Sequence, residues 1–414
     1  MTPRELLLEA WKAALAALEP GQLLAGRLPE PPRGRTLVLG AGKAAAAHAA
    51  ALEALWPGEL GGMVVTRRGH GVATRHIEVR EASHPVPDEA SLRAGSDALE
   101  MAAGLGEDDM LIALISGGGS ALLVAPQGIS LERKQRLTRE LLASGAPIGE
   151  INRVRIALSR VKGGRLALAA HPATVHSYLL SDVTGDPFHL IAGGPTVPSR
   201  QTVGGARDIL ARHGLLDREL LEVLQRPEAI APDPADPRFA RHRAILLGSG
   251  RTALDGAAGV LREAGYVIVD LGDRVEGPAQ RVAREHAGLA RRALEDGRRV
   301  AILSAGETTV KVESPAPGAR GGRNLVFALS VAIEFRGAPV HVLAADTDGI
   351  DGNSEAAGAI VDPDSLDRAL AAGADPIAAL RDFDSEAVFR ASGDLLVTGP
   401  TLTNVSDLRV ILVN

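Results

Sequence analysis

Lys43 closes the run Gly40-Ala-Gly-Lys43, directly after the apolar stretch 36–40 and before an alanine-rich segment. Gly40 and Gly42 allow a tight turn that exposes backbone N–H groups where a helix begins, a natural seat for an anion, and Lys43 adds a full charge there. The same run equally describes a plain strand-to-helix turn with a solvated lysine. Ser116-Gly117-Gly118-Gly119-Ser120 follows the most apolar stretch of the first half. Three consecutive glycines weaken a fold unless something must approach the backbone closely, and a phosphate or carboxylate held by backbone amides would supply that need. Asp182 and Asp186 lie in Ser181-Asp-Val-Thr-Gly-Asp186. They could ligate Mg²⁺, orient a hydroxyl, or cap turns and helices.

The second half carries a matching set. Glu307 stands in Gly306-Glu-Thr-Thr, and Arg323 in Gly321-Gly-Arg-Asn324, just before an apolar helical segment. A cation is disfavoured at a helix start, so an arginine placed there is expected to await an anion. Asp346 and Asp348, with Asp351 and Glu355 further on, lack the residue order of an EF-hand loop. One or two of these acids together with phosphate oxygens would suit a hard cation. Asn404 ends the polar cluster 398–404. Anion-binding loops in both halves and an acid cluster suggest phosphoryl transfer across an interdomain cleft, chemistry that needs charge neutralisation and alignment more than a strong base. Periodicity and spacing reach a two-domain enzyme using a nucleotide or phosphate, and stop there.

The elements that must hold these residues follow from hydrophobic periodicity. Runs at 36–40, 63–66, 76–80, 110–116 and 174–181 read as strands, with helical stretches near 43–56, 88–104, 130–143 and 151–170. That alternation is the doubly wound α/β pattern, and 110–116, apolar on both faces, suits a covered parallel sheet. The window 226–237, with four prolines, cannot continue a helix or a central strand and is expected to separate two domains, 1–238 and 239–414. Beyond it, strands are expected at 244–248, 266–270, 300–304, 308–312, 340–344, 394–397 and 408–413; some follow short connections, which predicts a mixed sheet.

Composition narrows the function class. At 414 residues, two domains are the expectation. The net charge of −6 argues against a broad basic surface for nucleic acid, and the absence of Cys excludes thiolate nucleophiles and Cys-ligated metal. Aromatics at 2% leave little for a base-stacking platform. Five lysines stand against 40 arginines, so each lysine is conspicuous. Charges interrupt the N-terminal apolar residues and no stretch is long enough to span a membrane, which predicts a cytoplasmic protein without a membrane partner.

Nine blocks resemble one family in order along nearly the whole chain. Gly40-Ala-Gly-Lys-Ala44, Ser116-Gly-Gly-Gly-Ser-Ala-Leu-Leu123, Val161-Lys-Gly-Gly-Arg-Leu166, Ser181-Asp-Val-Thr-Gly-Asp-Pro187 and Ile191-Ala-Gly-Gly-Pro195 are similar to the N-terminal domain of glycerate 2-kinases. Gly306-Glu-Thr-Thr-Val310, Gly321-Gly-Arg-Asn324, Asp346-Thr-Asp-Gly-Ile-Asp-Gly352 and Thr398-Gly-Pro-Thr-Leu-Thr-Asn404 resemble their C-terminal MOFRL domain. The resemblance implies two α/β/α domains, the first Rossmann-like with a parallel sheet and the second a mixed sheet. It implies ATP-dependent phosphorylation of glycerate, usually the D-isomer at its 2-hydroxyl, with Mg²⁺. Lys43 and Arg323 are then the leading catalytic candidates, and Glu307, Asp346, Asp348 and Asn404 fall on family motifs. In the mechanism this suggests, the two cations neutralise the migrating phosphoryl group. The acids hold Mg²⁺, Ser116–Ser120 cradles glycerate or nucleotide oxygens, and Asp182 or Asp186 orients the hydroxyl. One departure is visible: after Asn152-Arg-Val-Arg155 the family usually has Lys-His-Leu-Ser, and this chain has Ile156-Ala-Leu-Ser159.

The runner-up is an NAD(P)H-dependent hydroxypyruvate reductase, because Gly40-x-Gly42-x-x-Ala45 is compatible with a dinucleotide fingerprint. The ribose-binding acid expected after the second strand is missing, since that position reads Thr66-Arg67-Arg68. A glycerate-binding sensor is a third possibility. The sequence leaves open a monomer or a homodimer.

Overall fold

The apolar runs of the first half become one sheet in the computed structural model, which describes residues 1–200, 203–312 and 316–414. Its strands are β1 (Thr36–Ala41), β2 (Gly61–Arg67), β3 (Ile77–Ala82), β4 (Met110–Ile115), β5 (Thr174–Leu180) and β6 (His242–Gly248), in the order β3-β2-β1-β4-β5-β6. The pairs β1–β2, β1–β4, β2–β3 and β4–β5 are parallel, as the two-sided apolar pattern requires. Every residue of β4 is buried. Register places Ala41 level with Ile115, so the loops that follow β1 and β4, carrying Lys43 and Ser116–Ser120, leave the sheet side by side. Ligand sites of open α/β sheets lie at this carboxyl end.

The expected helix over 151–170 is two helices, Ile148–Ala157 and Arg165–Ala169. Gly163 and Gly164 break it, both at positive φ, and the loop between the helices carries Lys162.

The second half continues with β7 (Val267–Asp270), β8 (Gly277–Pro278), β9 (Val300–Gly306), β10 (Thr308–Thr309), β11 (Val340–Asp346), β12 (Gly358–Val361), β13 (Leu395–Leu396) and β14 (Asp407–Val413). Six of these form a mixed sheet in the order β13-β12-β11-β14-β9-β7, parallel only between β7 and β9. The expected strand over 308–312 shrinks to the two residues of β10, paired with β8 in a separate ribbon. β12 is a strand the sequence reading did not mark. The last strand, β14, is buried throughout and runs between β11 and β9, with Asp407 opposite both Asp346 and Gly306. A chain terminus thus supplies the middle of the sheet and brings three loops to one end of it.

The chain divides into two compact units. One comprises Pro20–Ser181 and Asp186–Leu247; the other comprises Met1–Glu19, Asp182–Gly185 and Gly248–Asn414. These limits differ from a division at 238. The proline-rich window is a loop within the first unit, and β6 beyond it completes the first sheet. Residues 1–19 belong with the second unit because the helix Pro3–Ala16 buries Leu6, Leu7, Ala10, Trp11 and Ala14 there. It lies so close to the helix Gly250–Glu263 that a Cβ on Gly256 would stand 2.7 Å from the Ala13 carbonyl oxygen. Among the described residues, no helix is long and apolar enough to cross a membrane.

Candidate active site

In the first unit the amides of the Gly40–Lys43 turn are spent inside the protein. Gly42 N–H donates to Val65 O at 3.1 Å, Lys43 N–H to Gly117 O at 2.9 Å and Ala44 N–H to Ser116 Oγ at 3.1 Å. This turn is therefore not the anion cradle expected of it; its glycine serves close packing instead. Gly42 sits at φ +138°, and a Cβ there would lie 2.1 Å from Ser116 Oγ, so only glycine lets the two loops meet.

That packing delivers Lys43 to the neighbouring loop. The Lys43 side chain is half-buried, and a Cβ on Gly118 would stand 3.2 Å from its Cγ and 3.4 Å from its Cε. Among the described residues, the amides of Gly117 and Gly118 make no hydrogen bond, and Ser120 Oγ is buried with no partner. A lysine, two open amides and an unpaired hydroxyl in one loop cluster make a donor-rich site for an oxyanion.

The second unit gathers acids around a single arginine. Arg323 opens the helix Arg323–Glu334. Its Nε donates to Asp407 Oδ1 at 2.9 Å, its Nη2 to Asp346 Oδ2 at 2.8 Å, and its Nη1 to Glu307 Oε1. These three carboxylates explain why a cation is tolerated at a helix start. Burial pulls its pKa down, but Asp407, Glu307 and Asp346 more than offset that and hold it well above the ordinary arginine value.

The helix itself is capped from another loop. Asp351 accepts from Asn324 N at 3.1 Å and Leu325 N at 2.8 Å, two of the N–H groups that a helix start leaves unpaired. A Cβ on Gly322 would lie 2.3 Å from Asp351 Cγ, so glycine at this position lets the carboxylate reach its helix. Burial pushes Asp351 up to about 6, against the pull of the Leu325 N–H.

Behind Arg323 the network continues inward. Asp407 gives its other oxygen, Oδ2, to Arg409 Nη2 at 2.8 Å, and Arg409, fully buried, also donates to Gly306 O at 2.7 Å. Sequence reasoning missed Asp407 and Arg409. The available signal was Asp407-Leu-Arg409, where two opposite charges at i, i+2 of an apolar strand share one face.

The acids expected to hold a metal are otherwise engaged. Glu307 and Asp346 accept from Arg323, Asp346 Oδ1 accepts from Asp348 N at 3.1 Å, and Asp348 Oδ1 accepts from Ile350 N at 2.8 Å. Among the described residues, no three acidic or histidine side chains are placed to hold a metal ion. A cation here would therefore draw on one or two of these acids together with oxygens of the substrate.

Asp182 belongs to this second unit and accepts from Asn404 Nδ2 at 3.1 Å. The loop bearing Asn404 is tied to the Asp346–Asp348 loop: Val405 N donates to Thr347 Oγ1 at 2.9 Å, and Thr347 Oγ1 to Ser406 O at 2.6 Å. Asp186 lies in the first unit at φ +54°, a left-handed conformation that aspartate tolerates in turns. The two aspartates that sequence reasoning grouped thus fall in different units.

Fold and site together define a two-unit α/β protein, one unit offering donors to an oxyanion and the other an arginine framed by carboxylates. Residues 6–226 match the family described as a domain of unknown function, DUF4147, and residues 300–407 match the MOFRL family. The D-glycerate 2-kinase of Thermotoga maritima is 37% identical over 419 residues, covering 99% of this chain and 98% of that one. The crystal structure of a glycerate kinase from the same organism superposes with a TM-score of 0.87 at 34% identity, covering 99% of both chains. An Agrobacterium vitis protein provisionally named as a hydroxypyruvate reductase is 46% identical over 420 residues, covering 100% of this chain and 95% of that one. The chain belongs to the glycerate 2-kinase family.

Proposed function

We propose that this protein phosphorylates glycerate, with ATP as donor and the 2-hydroxyl of the D-isomer as acceptor. One observation carries the choice of chemistry: the turn amides at Gly42, Lys43 and Ala44 are consumed by the protein, while Lys43 itself is held against Gly118. A dinucleotide pyrophosphate would need those amides. A transferring phosphoryl group needs a positioned cation and oxyanion donors, and Lys43 with the Ser116–Ser120 loop supplies both.

Lys43 and Arg323 are assigned to neutralise charge on the phosphoryl oxygens. Arg323 meets this role through Nη1, whose partner Glu307 is 52% exposed and so the most readily displaced of its three acids. Asp182, held by Asn404, is assigned to accept the proton of the substrate hydroxyl as it attacks. Magnesium, in this reading, enters as part of the nucleotide substrate. The enzyme is read as cytoplasmic. The test is consumption of ATP with D-glycerate as acceptor and appearance of a phosphomonoester; no consumption above an acceptor-free control contradicts the reading.

A reductase is the second reading. It draws on the strand order, which is the common dinucleotide-binding one, and on the name of the Agrobacterium relative. Against it, β2 ends in Thr66-Arg67 with no carboxylate, and Arg68, a candidate partner for an NADP phosphate, is paired with Asp88 at 2.7 Å. Fold order alone does not assign chemistry. Oxidation of NADPH by hydroxypyruvate in the presence of the protein would favour this second reading.

A further inference from the structure

The first unit holds a second group of cations that the reading above leaves unused. Lys134 lies on the helix Leu131–Ala143, Arg155 near the end of the helix Ile148–Ala157, and Lys162 in the loop that follows. Lys134 is 6% exposed and Lys162 0%. In a chain with five lysines and 40 arginines, two of the five are withdrawn from water into one neighbourhood.

Their electrostatics are one-sided. Burial lowers the pKa of both lysines, and like charges add to it: Arg155 acts on Lys134, and Lys134 and Arg155 both act on Lys162. Among the described residues, no carboxylate contributes at any of the three. The nearby acids are committed elsewhere, since Arg133 takes Glu140, Asp217 and Glu219, and Arg212 and His213 take Glu150.

What these cations reach is weak. Lys162 Nζ donates to the carbonyl oxygens of Ala192 at 3.1 Å and Leu123 at 3.4 Å. Arg155 Nη1 donates to Asn152 Oδ1 of its own helix, at 3.4 Å. Among the described residues, Lys134 Nζ makes no hydrogen bond and no ion pair. Burying Lys134 and Lys162 beside Arg155 without a counter-charge costs stability.

The cluster adjoins the glycine loop. Lys162 packs under Gly193, whose Cβ would stand 2.8 Å from Lys162 Cδ, and Ala192 beside it lies against Gly119, whose Cβ would stand 2.7 Å from Ala192 Cβ. We propose that Lys134, Arg155 and Lys162 form an oxyanion subsite next to the Ser116–Ser120 loop, occupied by a substrate's carboxylate or phosphate. The oxyanion chemistry comes from the cluster alone. Its two sources, the carboxylate of glycerate or a phosphate of the nucleotide, rest on the kinase reading.

The test compares full-length wild type with Lys134→Met and Lys134→Arg. Melting temperatures are taken at neutral pH alone and with inorganic phosphate, D-glycerate or ATP, and KM is measured for each substrate. Lys134→Met should melt at or above wild type without ligand, because it deletes an unpaired buried charge. It should also lose the stabilisation that at least one anion gives wild type. KM should rise about 10- to 100-fold for one substrate and stay level for the other, with Lys134→Arg recovering part of the loss. A rise for glycerate assigns the carboxylate; a rise for ATP assigns the phosphate.

A wild type unaffected by every anion would overturn the subsite, as would a Lys134→Met protein that keeps wild-type anion stabilisation and both KM values. If wild type fails to phosphorylate glycerate, the kinase reading fails alone. The phosphate-induced shift, present in wild type and lost in Lys134→Met, still decides the subsite.

Discussion

Asp407 binds Arg323 with one carboxylate oxygen and Arg409 with the other, at 2.9 and 2.8 Å. A single acid at the first residue of the last strand therefore joins a partly buried arginine to a fully buried one. Behind Arg409 lies Ser304, whose hydroxyl accepts from Arg409 at 3.4 Å and donates to His286 at 2.9 Å. His286 is held down to about 4, first by burial and then by the charge of Arg409, so it stays neutral and accepts that bond.

The consequence for stability is direct. Asp407→Ala leaves Arg409 buried without its counter-charge, and such losses cost about 3–5 kcal/mol. Urea unfolding at pH 7 should show a loss of this size, well beyond that of an exposed control such as Asp255→Ala, whose pair with Arg251 is a surface one.

Glu307 separates two accounts of the acid cluster. Here it is an exposed partner of Arg323, so Glu307→Gln, which keeps an accepting oxygen, should leave the magnesium concentration for half-maximal activity unchanged. A rise of about 10-fold or more would mean that Glu307 orients or ligates a metal after all. Activity measured across a magnesium titration gives the answer.

How much of this was legible beforehand varies by residue. The strand-loop-helix rhythm located Lys43 and Ser116–Ser120 at strand ends and Arg323 at a helix start, because period-two and helical patterns are local. What Gly42 does was hidden: its reason is Ser116, over 70 residues away, and register between β1 and β4 creates the contact. Arg323 looked unpaired because its three acids come from three separate segments, Glu307, Asp346 and Asp407. Lys134 and Lys162 were conspicuous as two of few lysines, but their burial beside Arg155 was hidden, since it depends on how helices close over the loop. The limits of the units were obscured because proline marks a loop whether or not a domain ends there, and because the first helix folds with residues distant in the chain.

Lys43→Met should fold with near wild-type stability, being half-buried at a loop. Its kcat should fall by about 10³ or more, with smaller changes in KM, if the lysine acts on the phosphoryl group in flight. Steady-state kinetics together with a melting curve checks both halves of the expectation.

Lys134 also makes a pH prediction. Its pKa is lowered from 10.5 to about 8, so the unfolded chain binds the proton more tightly than the folded one. The cost of charging it in the fold is therefore complete below pH 8 and fades as pH rises toward 10.5. Lys134→Met should exceed wild type by about 3 kcal/mol at neutral pH, and the gap should narrow in alkali. Urea unfolding of both proteins at pH 7 and above pH 9 tests the sign: a gap that widened with pH would contradict it.

The kinase account stands or falls on the phosphorus NMR spectrum of the product formed from D-glycerate and ATP. It predicts loss of the γ-phosphate signal and a new phosphomonoester doublet, split by the single proton on carbon 2. A triplet would move the phosphate to carbon 3. An unchanged ATP spectrum, alongside NADPH oxidation by hydroxypyruvate, would contradict phosphoryl transfer itself.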